Sequence, residues 1–269
     1  LTWAPLFTAV FLLCLLCTIR ATYWGDRVMF ITQSIDARPF STRARSTAGL
    51  YYLTRDPVQS LEHYRISGQQ NPSAVSPLTS QFALLSTVYE LYDQEINDEA
   101  PEEHLTAGIQ ALWNKQELKL QLTTLDDEIA DRLSVFAISA QVMSILDKFT
   151  RCAINGGLSC ADIQTIERWV DIALKNPKKP DLYISFLQFH KSRLLTAGGH
   201  PDQALLLMRQ ITTEVPKNYF YKTRLAQLYS QLGMEKEAHE TLSKIPKRQL
   251  KFYIPKQSPL LIRYLQTES

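Results

Sequence analysis

The chain opens on a run without a charged side chain. From Leu1 to Ile19 it includes Leu6, Phe7, Val10, Phe11, Leu12, Leu13, Leu15 and Leu16, and no polar face interrupts it before Arg20. As a helix this run is roughly 28 Å long, close to the hydrocarbon thickness of a bilayer. The pattern therefore predicts a transmembrane helix over residues 1–19. A cleaved signal peptide and a buried core helix are the alternatives. The first normally has a basic leader and a small-residue cleavage site, whereas this sequence begins Leu-Thr-Trp and offers Thr18-Ile19-Arg20. The second normally keeps a polar stripe. The missing initial Met leads us to expect that the native protein extends upstream. Past Arg20, apolar positions recur at helical intervals and no segment alternates as a strand does, so the remainder is expected to be helical.

A fixed interval organises that remainder. Gly199 and Gly233 lie 34 residues apart, as do Ala204 and Ala238, Leu195 and Tyr229, and Met208 and Leu242. The last copy carries Leu225, Ala226, Tyr229, Gly233, Ala238 and Leu242, and Pro216 closes the copy before it. A further copy stands near the front, with Ala48, Tyr51, Ser60, Tyr64 and Pro72 at matching offsets. Small residues at such positions let two antiparallel helices approach closely, while large ones fill the gap to the next pair. Pairs of this kind need neighbours to bury their faces, so they stack into a solenoid.

Between the copies, 77–92, 101–120, 126–151 and 160–175 each read as a helix, roughly two diverged pairs. Asn176-Pro177 ends the last of these much as Asn71-Pro72 ends the first copy, and Trp169 takes the large second-helix position. The expected organisation is a juxtamembrane linker over 20–40, helical hairpins over 41–250 and an irregular cap over 251–269, where Pro255 and Pro259 interrupt an apolar sequence.

The 34-residue spacing resembles the tetratricopeptide repeat superfamily over most of residues 38–246. That resemblance implies an all-α, TPR-like helical-hairpin solenoid, preceded here by one transmembrane helix. The junction has its own likeness. The apolar run leads into Tyr23-Trp24-Gly25-Asp26, then Phe30, then Pro39-Phe40-Ser41-Thr42-Arg43-Ala44. This order resembles the passage from the last membrane helix into the repeat tail of multi-pass membrane glycosyltransferases of the transmembrane-and-TPR mannosyltransferase type and their bacterial relatives. The resemblance implies a lipid-linked sugar donor for the parent enzyme and an extracytoplasmic tail. It carries over no catalytic residue, because the multi-pass catalytic region is not in this sequence. An autonomous single-pass adaptor for envelope or pilus assembly is the alternative.

Composition changes this picture little. The 269 residues are 45% hydrophobic and 21% charged, ample for a packed core, and a net charge of +2 gives no basic footprint for nucleic acid. Charge is nonetheless uneven. Residues 90–131 hold twelve Asp or Glu against Lys115 and Lys119, whereas 208–263 hold eleven Lys or Arg against four Glu. Solvated surfaces account for both, with an anionic lipid surface or acidic partner as the functional alternative for the basic end.

Cys152 and Cys160 flank a turn containing Asn155, Gly156 and Gly157, with Ser159 or Asp162 placed to cap the next helix. A disulfide across this turn is one reading, and it would persist only in an oxidising compartment; two free buried thiols are the other. Cys14 and Cys17 read as packing residues within the apolar run. Arg20, Arg27, Arg38, Arg43 and Arg45 favour a cytoplasmic soluble part by the positive-inside tendency. The cysteine pair favours the opposite side. The expected location is the bacterial inner membrane with a periplasmic soluble domain.

No catalytic motif stands out, and the five histidines, His63, His104, His190, His200 and His239, are scattered without ligand spacing, so no metal or cofactor is expected. If a partner binds, the groove-facing positions of the first helices are Arg45, Tyr52, Phe189, Arg193 and Gln227. Their mix of aromatic and cationic groups suits a protein or peptide partner, or a sugar-bearing polymer or glycosylation acceptor. Structural packing is the competing reading for each.

Overall fold

The computed structural model describes residues 4–53, 55–95 and 114–253, and among these every regular element is a helix. The chain divides into two compact units, Leu1–Gln121 and Leu122–Ser269.

In the first unit α1 (Ala4–Gly25), α2 (Arg27–Ala37), α3 (Thr42–Tyr52), α4 (Pro57–Gln70) and α5 (Ser76–Glu95) pack in succession. Their boundaries are written in capping residues. The Asp26 carboxylate accepts the Val28 and Met29 N–H groups at 2.8 and 3.2 Å, and the Ser41 hydroxyl accepts the Ala44 N–H at 3.2 Å. Asp56 caps α4, with Pro57 in the first turn. The α3/α4 hairpin closes on small side chains. Ala48 is fully buried, and a Cβ on Gly49 would meet the Tyr64 ring at 2.8 Å. The Ser60 hydroxyl donates to the Gly49 carbonyl at 2.7 Å, and the Ser67 hydroxyl to the Thr42 carbonyl at 2.9 Å. Leu78, Leu85 and Val88 of α5 complete this core with Leu61 and Tyr64.

The transmembrane expectation over 1–19 is not met among the described residues. Residues 1–3 lie outside them, and no described helix is long and apolar enough to cross a membrane. Within α1 the side chains from Thr8 to Ile19 are described. All of them are exposed. Residues 20–37, read as linker, are almost wholly helical.

The helix expected over 101–120 lies outside the described residues up to 113. From there α6 (Lys115–Val135) begins with a reciprocal cap, Asn114 accepting from the Glu117 N–H at 2.9 Å and Glu117 accepting from the Asn114 N–H at 3.0 Å. It crosses the boundary between the units.

In the second unit α7 (Ala140–Ile154), α8 (Ile163–Lys175), α9 (Asp181–Ala197), α10 (Pro201–Glu214), α11 (Tyr219–Gln231) and α12 (Glu235–Ser243) form three hairpins, and α13 (Lys247–Tyr253) packs on α11. The single helix expected over 126–151 is two, because the chain breaks at 136–139 and Ser139 starts α7 by accepting the Val142 N–H. Trp169 of α8 is fully buried against Phe149, and its indole N–H donates to Asp126 of α6 at 2.6 Å. Asp126 also pairs with Arg168 at 2.6 Å, so this part of the acidic stretch is structural. The buried Asn176 amide donates to the Leu133 and Phe136 carbonyls and holds the end of α8 against α6.

The 34-residue interval reappears as turn geometry. Gly199 and Gly233 have φ of +83° and +73°, a conformation that costs L side chains strain and leaves glycine free. Around them the His200 N–H donates to the Leu195 carbonyl at 2.8 Å and the Met234 N–H to the Tyr229 carbonyl at 2.9 Å, one Schellman turn repeated. Ala204 and Ala238 are both fully buried, as Met208 and Leu242 nearly are. Gly156, at φ +69°, makes the same turn after α7, its neighbour Gly157 donating to the Cys152 carbonyl at 3.0 Å. There the connection is longer, and a disulfide joins Cys152 to Cys160 across it, with Cα atoms 5.8 Å apart. Asp162 supplies the cap of α8. Beyond Tyr253 the expected cap falls outside the described residues.

Candidate partner-binding groove

The repeated turns set three first helices, α7, α9 and α11, in common register. Nine positions before the turn glycines stand Asp147, His190 and Arg224, and six before stand Thr150, Arg193 and Gln227. These helices line a groove of about 640 Å³, with Asp147 and Arg151 from α7, Phe186, Phe189 and Arg193 from α9, and Phe220, Arg224 and Gln227 from α11.

Its electrostatics centre on one carboxylate. Asp147 accepts from Arg151 at 2.5 Å along its own helix and meets Arg193 of the next hairpin at 3.4 Å. Among the described residues Arg224 meets no carboxylate: one of its terminal nitrogens donates to the Gln227 side-chain oxygen at 2.7 Å, while its Nε is buried and finds no partner among them. Burial pushes the guanidinium groups of Arg193 and Arg224 below their ordinary value, and an arginine in a protein keeps its charge nonetheless. Three cations thus face one anion. Aromatic faces hold the cations in place: Arg193 lies 5.8 Å from the Phe189 ring centroid and Arg224 lies 5.0 Å from that of Phe220. Phe189 and Phe220 meet edge to face at 5.2 Å.

His190 sits behind this surface, fully buried between Phe186 and Phe189. Burial pushes its pKa down to about 4, against the opposing pull of Asp147, so the ring is neutral near pH 7.

The five residues read as groove-facing divide between the units. Phe189, Arg193 and Gln227 line the groove of the second. Arg45 and Tyr52 lie in the first, gathered around His63: the Arg45 guanidinium is 3.4 Å from His63 Nδ1, and the Tyr52 ring stacks on the imidazole at 5.6 Å. Desolvation, then the charge of Arg45, lowers the His63 pKa. Among the residues read as packing positions, Ala48, Tyr64, Ala204, Ala226, Tyr229, Ala238 and Leu242 are buried, whereas Tyr51 is half-buried and carries Arg55 over its ring at 4.3 Å. Pro72 is exposed beside Asn71, and Pro216 follows the end of α10. Sequence reading missed Asp147, Arg151, Phe220 and Arg224. A register counted back nine positions from Gly156 and from Gly233 would have found Asp147 and Arg224, but the longer turn after α7 hides the first of these copies from a fixed 34-residue interval. Among the described residues, no group of His, Cys, Asp and Glu is disposed to hold a metal ion.

No family model matches the chain, and no curated protein matches it. Among solved structures it is similar to the crystal structure of the P58(IPK) TPR domain, with 14% identity and a TM-score of 0.32. The match covers 93% of this chain, which spans 61% of that one. At that TM-score the assignment of a helical-hairpin fold rests on the turns and burial described above.

Proposed function

We propose that this chain is a helical-hairpin scaffold whose groove in the second unit holds an extended acidic peptide segment of a protein partner. The observation that carries the reading is the convergence of Arg151, Arg193 and Arg224 from three successive first helices on a surface with one carboxylate, Asp147. Arg193 and Arg224, half-buried and held over aromatic rings, are preorganised donors for carboxylates, and the phenylalanines between them offer apolar contact to intervening side chains.

The exposed apolar side chains of α1 support a membrane-anchoring role for that helix. The Cys152–Cys160 disulfide supports an oxidising, extracytoplasmic compartment for the second unit. The wider setting, a tail of a membrane glycosyltransferase that uses a lipid-linked sugar, rests on the junction sequence alone. Asp26 and Ser41, two residues of that junction, cap α2 and α3, a local role that accounts for them without a shared family.

Binding of a fluorescein-labelled, glutamate-rich peptide, followed by anisotropy, tests the groove. The wild-type chain should bind it in a salt-dependent manner, and Arg193→Glu with Arg224→Glu should weaken binding about a hundredfold while preferring a lysine-rich counterpart. Equal binding of both peptides by the wild-type chain would remove the acidic partner from the proposal.

A further inference from the structure

A second groove lies in the first unit, between α1, α2 and α3, with a volume of about 660 Å³, within the range of small-molecule sites. Its wall changes character along its length. Leu16 and Ile19 of α1 and Phe30 and Ile31 of α2 make one part apolar; Arg38, which follows α2 about 10 Å along the helix from Ile31, and Arg43 at the start of α3 also line it. Both guanidinium groups are exposed, and neither is in an ion pair among the described residues. Asp36, on the same helix, is not part of the wall.

We infer that this groove seats one anionic phospholipid, with its phosphate between Arg38 and Arg43 and its acyl chains along Leu16, Ile19 and Phe30. Charge complementarity argues for the phosphate, since the arginine fork of N–H donors matches phosphate oxygens and two such cations line the same wall. The apolar part argues for a lipid over a soluble phosphate. It runs into the exposed side chains of α1, where Phe11, Leu13 and Leu16 are each more than 60% exposed, and a soluble anion would leave that surface in water. The inference rests on the reading of α1 as a membrane anchor, and the two are separable by experiment.

The full chain is mixed with vesicles of phosphatidylcholine, with or without about 20 mol% phosphatidylglycerol, floated, extracted in mild detergent and analysed for co-purifying lipid. Flotation with neutral vesicles tests the anchor; enrichment of phosphatidylglycerol over its bulk fraction tests the groove. Arg38→Gln with Arg43→Gln should return co-purifying phosphatidylglycerol to its bulk fraction of about 20 mol%. Arg55→Gln with Arg65→Gln, an equal change in net charge on α4 and its approach, should leave it unaltered. Ala37→Trp, which fills the groove and keeps both charges, should abolish it. Equal loss in both arginine pairs, retained enrichment in Ala37→Trp, or competition by glycerophosphoglycerol without acyl chains would overturn the inference. So would flotation without enrichment, which leaves the anchor intact, and absence of flotation, which removes both.

Discussion

His190 Nε2 lies 3.8 Å from the Asp147 carboxylate, close enough to feel its charge and too far for a hydrogen bond. Both ring nitrogens are buried and have no hydrogen-bond partner among the described residues. Arg151 and Arg193 take the carboxylate instead, and their charges add to burial in keeping the ring neutral.

Stability should therefore depend on this histidine in acid. The native ring titrates at about 4, whereas an unfolded histidine titrates at about 6.5. Between these values the unfolded chain binds a proton that the native chain refuses. The contribution is complete above about pH 6.5 and is lost as pH falls toward 4. From pH 7 to 4.5 the wild-type second unit should lose about 2–3 kcal/mol more than His190→Leu, measured as urea midpoints with a common slope. Parallel losses in the two proteins would place the imidazole in contact with water.

The repeated turns make a conformational prediction. At Gly199 and Gly233, alanine must adopt positive φ, at a cost of about 1–2 kcal/mol each. Open space surrounds both positions, so the loss reflects backbone strain alone. Gly233→Asn should lose less, since asparagine tolerates the left-handed region. Thermal denaturation of the three variants gives the ordering, and an alanine as stable as glycine would contradict the turn.

Joining Cys152 to Cys160 closes a short loop in the unfolded chain, worth about 2–3 kcal/mol. The pair Cys152→Ser and Cys160→Ser should be destabilised by that amount, and the unreduced wild-type protein should lack the mass of two hydrogens. Gly157→Ala provides a packing check, because its Cβ would come 2.7 Å from the Cys152 sulfur. It should slow oxidative closure relative to wild type, as followed by thiol titration during refolding.

Much of the second unit was legible in the order of residues. Gly199, Gly233, Ala204 and Ala238 mark turns and close helix contacts, and these demands act on single positions at a fixed interval. The groove was legible only in part. Phe189, Arg193 and Gln227 lie in visible copies, whereas Asp147 belongs to a copy displaced by the disulfide turn. Trp169 was recognisable as a large buried residue, but not as a donor to Asp126, because that bond joins positions 43 residues apart. The break between α6 and α7 was also missed, since the apolar pattern passes through 136–139 without a proline or glycine.

Order along the chain determined what depends on local chemistry: helices from apolar spacing, their starts from Asp26, Ser41, Ser139 and Asp162, and their turns from glycine. Tertiary structure decided which charges keep company. Arg193 finds Asp147 while Arg224 finds Gln227 and the Phe220 ring, because side-chain pairing across helices depends on how hairpins stack. That stacking is set by the summed packing of buried residues far apart in sequence.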